Sequence, residues 1–189
     1  MPSERAPLVG IVMGSDSDLP IMDHASRMLR RFHVPHEVGI KSAHRTPERM
    51  AKYGREAVQS GLKVLIAGAG GSAHLPGMLA SETRLPVLGV AIESSPDVTN
   101  AALGSMVRMP EGAPLATMGK NQAGAANAGL EAVRILALSD PELAANYDKW
   151  MESQRRSVEV KDELIAEIGS EEYLRRYNLV KSGERESLF

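Results

Sequence analysis

Leu8-Val9-Gly10-Ile11-Val12-Met13, followed by Gly14-Ser15-Asp16-Ser17-Asp18, is the stretch that decides the fold. The apolar run is short and carries no alternating polar residues, so it reads as a strand covered on both faces. The small polar residues after it end the strand. Ser17 is the expected N-cap of a helix, with Asp18 in its first turn. From Leu19 to Phe32 the apolar residues Ile21, Met22, Ala25, Met28 and Leu29 fall at helical spacing, and Val34-Pro35 stops the pattern.

The same order repeats along the chain. Glu37-Val38-Gly39-Ile40 is a weaker strand leading into Ser42, and Thr46-Pro47 opens a helix that runs to about Ser60. Thr46 is its expected cap, and Pro47 sits at the first helical position, where its missing N–H costs nothing. Val64-Leu65-Ile66-Ala67 is a third buried strand, and His74 to Glu82 a short helix made irregular by Pro76 and Gly77. Pro86 to Ile92 is a fourth strand. Val107 to Met109 and Leu115 to Met118 read as a fifth, interrupted by Pro110 and Pro114. Asn121 to Leu138, rich in Ala and Leu, is a long helix. Alternation of this kind predicts a parallel sheet with helices on both faces and right-handed crossovers. Ligands of such sheets sit at the carboxyl ends of strands. Three small polar loops follow strands here, so they are expected to converge on one edge.

The last fifty residues differ. Pro141 to Ile168 reads as a helix with a mixed charged face, and Glu171 to Tyr177 as one more short helix. Tyr147, Trp150, Met151, Leu164 and Ile168 need apolar cover, which favours an arm packed on a neighbouring subunit over a solvated appendage.

Composition excludes several classes of function. The 189 residues are 43% hydrophobic and 24% charged, which fits one globular domain and excludes disorder. No apolar run reaches the ~18 residues of a membrane span. Met1 to Pro7 lacks the apolar core of a secretion signal, so a cytoplasmic location is expected. The absence of cysteine removes disulfides, thiolate metal sites and Cys nucleophiles. A formal charge of −2 offers no basic field for nucleic acid, and four Tyr, two Phe and one Trp make a poor stacking platform. No histidine or carboxylate motif has metal-ligand spacing, so no metal is expected.

Ser42-Ala43-His44-Arg45-Thr46-Pro47 carries the chemistry. An imidazole gives and takes a proton near neutral pH, and an adjacent guanidinium holds a phosphate or carboxylate through a planar fork. Positive charge near a helix start is unfavourable unless an anion is present, which argues for a site over a chance pairing. The loop Gly14 to Asp18 is either an ordinary capped turn or an anion cradle. It holds no Walker lysine and no G-x-G-x-x-G, so nucleoside triphosphates and dinucleotides are poorly supported. In Gly68-Ala69-Gly70-Gly71-Ser72-Ala73-His74, His74 either positions a ligand or caps the turn. His24, His33 and His36 read as surface histidines.

Val12 to Asp18, Ser42 to Pro47 and Ala67 to Met78 together closely resemble, in order and spacing, the N5-carboxyaminoimidazole ribonucleotide mutases, class I of the AIR carboxylase family. Met109-Pro110-Glu111-Gly112-Ala113-Pro114 and Asn127-Ala128 are similar too, and the resemblance spans roughly residues 8 to 160. It implies a flavodoxin-like three-layer α/β/α sandwich with a parallel sheet, expected over residues 1–160, and the tail's own pattern leaves residues 161–189 as a C-terminal helical arm. It also implies a homo-octamer with sites between subunits, a ribonucleotide substrate, and neither metal nor organic cofactor. The implied reaction, in de novo purine (IMP) biosynthesis, moves a carboxylate from an exocyclic nitrogen to ring carbon 4. By position, His44 is the single proton shuttle. Ser15, Asp18 and Arg45 hold the ribose 5-phosphate portion, with Ser42 beside them. The Gly70-Gly71-Ser72-Ala73-His74-Leu75 loop shapes the CO₂ and imidazole pocket, so that Gly71, Ser72, His74 and Leu75 join the substrate-binding set.

Elementary chemistry agrees with that implication. An N-carbamate loses CO₂ readily, so an enzyme must confine the CO₂ beside the nucleophilic carbon. Glycines let backbone N–H groups approach the forming carboxylate. The sister class, which carboxylates with free CO₂, has Lys where Arg45 stands and lacks the Gly-Gly-x-Ala-His run. The segment Glu93 to Ser105 departs from the mutases, which have Gln where Glu93 stands and a Gly-x-Asp-Ser-Leu element farther on. Two alternatives are a carboxylase using CO₂ directly and a non-catalytic nucleotide-binding module.

Overall fold

Val9, Ile11, Val12 and Met13 are almost wholly shielded from water, which is possible only for a strand with neighbours on both sides and layers on both faces. The computed structural model describes residues 6–92 and 96–182. In it β1 (Val9–Met13) pairs in parallel with β2 (His36–Ile40) on one side and β3 (Val64–Gly70) on the other. Beyond β3 lie β4 (Val87–Ile92) and β5 (Ala116–Lys120), giving the order β2-β1-β3-β4-β5. This is the flavodoxin-like order, all parallel. The register slips once, between Gly89 and Ala91, where β4 meets β5.

Helices fill the outer layers. α1 (Leu19–Arg31) and α5 (Asn121–Ala137) pack on each other, while α2 (Pro47–Glu56), α3 (His74–Glu82) and α4 (Pro96–Val107) succeed one another in contact. The right-handed crossover rule places α1 on one face and α2, α3 and α4 on the other, because the chain steps one way from β1 to β2 and the other way thereafter; α5, which follows the last strand, joins α1 by contact. The buried stripe of α1 is Met22, Ala25, Ser26 and Leu29; that of α5 runs from Gly124 through Ala128, Gly129 and Ala132 to Leu136. Small residues on both stripes let the two backbones come close. A Cβ on Gly129 would lie 2.7 Å from the Ala25 carbonyl oxygen and 2.9 Å from Met28 Cβ.

Several local expectations need correction. Ser15, extended at φ −147° and ψ 158°, is the cap after β1, not Ser17. Asp16–Asp18 form a tight 3-10 turn first, and α1 starts only at Leu19. Thr46 does precede α2, but its hydroxyl donates to the Ser42 carbonyl at 3.1 Å instead of capping the helix. Val107 closes α4 and is no part of a strand; β5 begins at Ala116. His36 is a half-buried member of a network, not a free surface histidine. Its Nδ1 lies 2.9 Å from the Val34 carbonyl, which can only accept, so in the neutral ring Nδ1 carries the proton. Nε2 then accepts from the buried Ser26 hydroxyl at 2.6 Å, and Ser26 Oγ in turn accepts from Arg30 at 2.7 Å. Glu93 to Ser95, the start of the divergent segment, lie outside the described residues.

Contacts divide the chain into two compact units, one through Ala144 and one from Ala145 on. α6 (Pro141–Ile168) and α7 (Ser170–Lys181) make up most of the second. Among its described residues none is buried, and Val158, Ile165, Leu174 and Tyr177 are exposed. No helix among the described residues is long and apolar enough to cross a membrane.

The α1–α5 contact has a direct test. Gly129→Ala is expected to lower stability by about 1–3 kcal/mol through overpacking, read as a lower urea midpoint with an unchanged slope.

Candidate active site

Each of the three loops is pinned by its own backbone hydrogen bonds. After β1, the Ser17 N–H donates to Ser15 Oγ at 3.4 Å and the Ser15 N–H donates to Asp18 Oδ2 at 3.2 Å, a reciprocal capping box. Burial pushes the Asp18 carboxyl above its ordinary range, against the backbone N–H groups that favour its charge. Asp16, fully exposed, goes the other way, chiefly because the Ser15 hydroxyl donates to it at 3.0 Å.

After β2, the Lys41 N–H donates to the Met13 carbonyl at 2.8 Å and carries the ladder one residue beyond the strand. Ser42 then closes the turn from both ends. Its hydroxyl accepts from the Arg45 N–H at 3.2 Å, and its carbonyl accepts from the Thr46 N–H at 3.0 Å. His44 and Arg45 stand exposed on that turn, and Arg45 Nη2 reaches the Gly14 carbonyl at 3.4 Å.

After β3, Gly71 at φ 59° and Ala73 at φ 48° are both left-handed. For Ala73 this costs of order 1–3 kcal/mol, strain of a kind that collects at functional sites. The Ala73 N–H donates to the Gly70 carbonyl at 3.0 Å, and His74 follows as the first residue of α3.

Because β1 lies between β2 and β3, the three loops end side by side, at the point where successive connections diverge. They enclose a cleft of about 320 Å³. Ser15, Asp18, Ser42, His44, Arg45, Gly71, His74 and Leu75 all line it; Ser72 is exposed and is not among the lining residues. Gly14, Ala43, Gly70, Ala73 and Ile92 line it as well, although no side-chain chemistry marks them, and so does Ser17, which the sequence offers only as a cap. Ile92 had one signal in the sequence, its place at the carboxyl end of a buried strand. A larger groove of about 1410 Å³ lies around Arg84–Val87 and Met109–Thr117, at the opposite ends of the strands, away from both histidines of the cleft.

The cleft brings two imidazoles into contact. His44 Nε2 and His74 Nδ1 are 2.7 Å apart, with the rings perpendicular and their centroids 4.9 Å apart. With Arg45 beside them, the arrangement can hold an anion and move a proton in one place.

The model of the family described as AIR carboxylase matches residues 8–157, which include every loop of the cleft. The chain belongs to the AIR carboxylase family. It is 50% identical over 174 residues to the N5-carboxyaminoimidazole ribonucleotide mutase of Pyrococcus horikoshii, covering 92% of this chain and 97% of that one. It is 48% identical to the mutase of the same name from Thermotoga maritima, over 89% of this chain and 97% of that one. The phosphoribosylaminoimidazole carboxylase of Candida glabrata is 49% identical over 90% of this chain, but the chain spans only 30% of that protein's length. Among solved structures, Treponema denticola PurE superposes with a TM-score of 0.75 at 29% identity, covering 84% of this chain and 98% of that one.

Asp18 links this family site to stability. A carboxyl harder to ionise when folded makes the folded state bind more protons than the unfolded state at mildly acidic pH. Stability therefore falls as pH rises from the unfolded value, ~3.9, through the raised folded one, and stays lowered above it. Asp18→Asn, whose amide oxygen still accepts from the Ser15 N–H, is expected to raise the thermal midpoint at pH 7. The gain should vanish below pH ~3.9, which a midpoint-against-pH series would check.

Proposed function

We infer that this protein is an N5-carboxyaminoimidazole ribonucleotide mutase of purine biosynthesis, an isomerase. The observation that carries this reading is the near-complete coverage of the 50% identical mutase, set beside a 30% coverage of the similar carboxylase. The cleft supports it, because the chemistry needs one proton carrier, one anion clamp and a wall of close-packed backbone.

In this reading the substrate carbamate loses CO₂ as the bond between the exocyclic nitrogen and the carboxylate carbon breaks. His44 gives that nitrogen its proton. Ring carbon 4 then attacks the confined CO₂, a new C–C bond forms, and His44 recovers the proton that carbon 4 sheds. The proton given equals the proton regained, so the reaction is a net isomerisation and needs no external acid or base. Arg45, with Ser15, Asp18 and Ser42, holds the ribose 5-phosphate portion and its surroundings. Gly71 and Leu75, with His74, wall the CO₂ pocket, where backbone N–H groups meet the forming carboxylate; Ser72 belongs to the same loop but lies outside the lining of the cleft.

His44→Asn should lower carboxyl transfer by about 10²–10⁴-fold, the usual worth of a positioned acid–base group, while the ribonucleotide still binds. The assay is conversion of N5-carboxyaminoimidazole ribonucleotide without ATP, metal or bicarbonate. Isotopically labelled bicarbonate should not enter the product; efficient incorporation would mean a carboxylase using free CO₂. Substrate turnover unaltered by the substitution would point to a different acid, and a wild-type protein that binds the ribonucleotide without converting it would point to a binding module.

The mutase domain is taken as residues 1–160, with 161–189 as its helical extension, and the protein as a cytoplasmic homo-octamer. The exposed Val158, Ile165, Leu174 and Tyr177, in a unit with no buried described residue, need the cover that neighbouring subunits supply. Truncation after Ser157 should reduce the number of subunits per assembly, taken from the light-scattering mass divided by the mass of the shortened chain, and an unchanged number would sink the arm's role.

A further inference from the structure

The mutase reading leaves open how one histidine can be acid and base with the same nitrogen in the same place, and the His44–His74 contact answers this. At 2.7 Å only one proton fits between His44 Nε2 and His74 Nδ1, so one of the facing nitrogens is bare and the other carries N–H. The nitrogen of His44 free to serve the substrate is then Nδ1. When His44 is an imidazolium, both its nitrogens carry hydrogen, and His74 Nδ1 must be the bare partner. Charge on His74 instead would sit at the first residue of α3, where the free N–H groups of the opening turn already present positive partial charge. The other charged groups lining the cleft are Asp18 and Arg45; Asp18 is held by the Ser15 N–H and Arg45 reaches the Gly14 carbonyl. His74 is also rigidly mounted, since Ala73 before it is left-handed and hydrogen-bonded to Gly70.

We propose that His74 is a positioning residue: its Nδ1 accepts from His44 Nε2–H throughout the cycle, so that Nδ1 of His44 both gives and regains the shuttled proton. After His44 delivers the Nδ1 proton to the exocyclic nitrogen, the Nε2–H···Nδ1 bond is unchanged. The bared Nδ1 is still aimed at the substrate and takes the proton from ring carbon 4. Neither ring has to turn or exchange tautomers between the two halves, and His74 gains and loses no proton.

Two substitutions and one spectrum test this. Asn at position 74 keeps an acceptor oxygen near the place of Nδ1, whereas Leu removes it. His74→Leu should lower kcat about 10- to 100-fold with little change in KM, and His74→Asn should recover most of the rate. ¹⁵N spectra of the histidine-labelled wild-type protein, assigned with His44→Asn, should show neutral His44 protonated at Nε2. The proposal is overturned if neutral His44 carries its proton at Nδ1. It is equally overturned if His74→Leu raises KM and leaves kcat alone, or if the Asn and Leu variants are equally slow. A wild-type protein with the Nε2–H form but no carboxyl transfer would overturn the mutase reading, and with it any catalytic use of the pair.

Discussion

The parallel pairing of β1 with both β2 and β3 is the constraint on which the rest depends. A strand hydrogen-bonded on both edges and covered on both faces has no room for polar side chains, and the residues from Val9 to Met13 are accordingly apolar or glycine. Parallel neighbours require long crossovers, and handedness then dictates which face each helix takes. The connections leaving β1 and β2 run in opposite directions along the sheet. Between them a crevice opens at the carboxyl ends, and the cleft occupies it.

What fills the crevice is held by local backbone chemistry. The Ser15–Asp18 capping box, the Ser42 turn and the left-handed Ala73 are three separate solutions to one problem, a tight turn that presents its residues without moving. Ser15 and Ser42 thereby serve twice, as turn-forming residues and as lining of the cleft. Pre-organisation of this kind suits a reaction whose main demand is confinement of a small neutral fragment beside a nucleophilic carbon. The half-buried Asp18 carboxyl and the strained Ala73 are both costs to stability placed at the site itself, as expected where function competes with packing.

Legibility followed burial. β1, β3 and β4 could be read from residues because strands covered on both faces have continuous apolar runs, and α5 and α6 because their composition favours helix over lengths no strand reaches. α4 has no such signature. Its sequence, from Pro96 to Val107, mixes Thr, Asn, Ala and Gly without a clear apolar stripe, and Val107 beside Met109 has the local pattern of a strand start. The choice between Ser15 and Ser17 as cap turned on one tight 3-10 turn that no periodicity reveals. The burial of His36 is not legible in the sequence, because its partners, Ser26 and Val34, come from a packed helix and a turn whose proximity depends on α1 lying against the sheet.

The chemistry of the loops belongs to the sequence by itself: Gly, Ser and Asp after one strand, an adjacent His and Arg after the next, and glycines before a second His after the third. So does the alternation of periods that demands a parallel sheet, because burial of apolar side chains at each spacing is a local property. Which loops meet was decided by tertiary structure alone. His44 and His74 are thirty residues apart in the chain, and their nitrogens come within 2.7 Å because β2 and β3 flank the same central strand. Strand order is a choice among whole-chain packings, and no single segment carries the information that settles it.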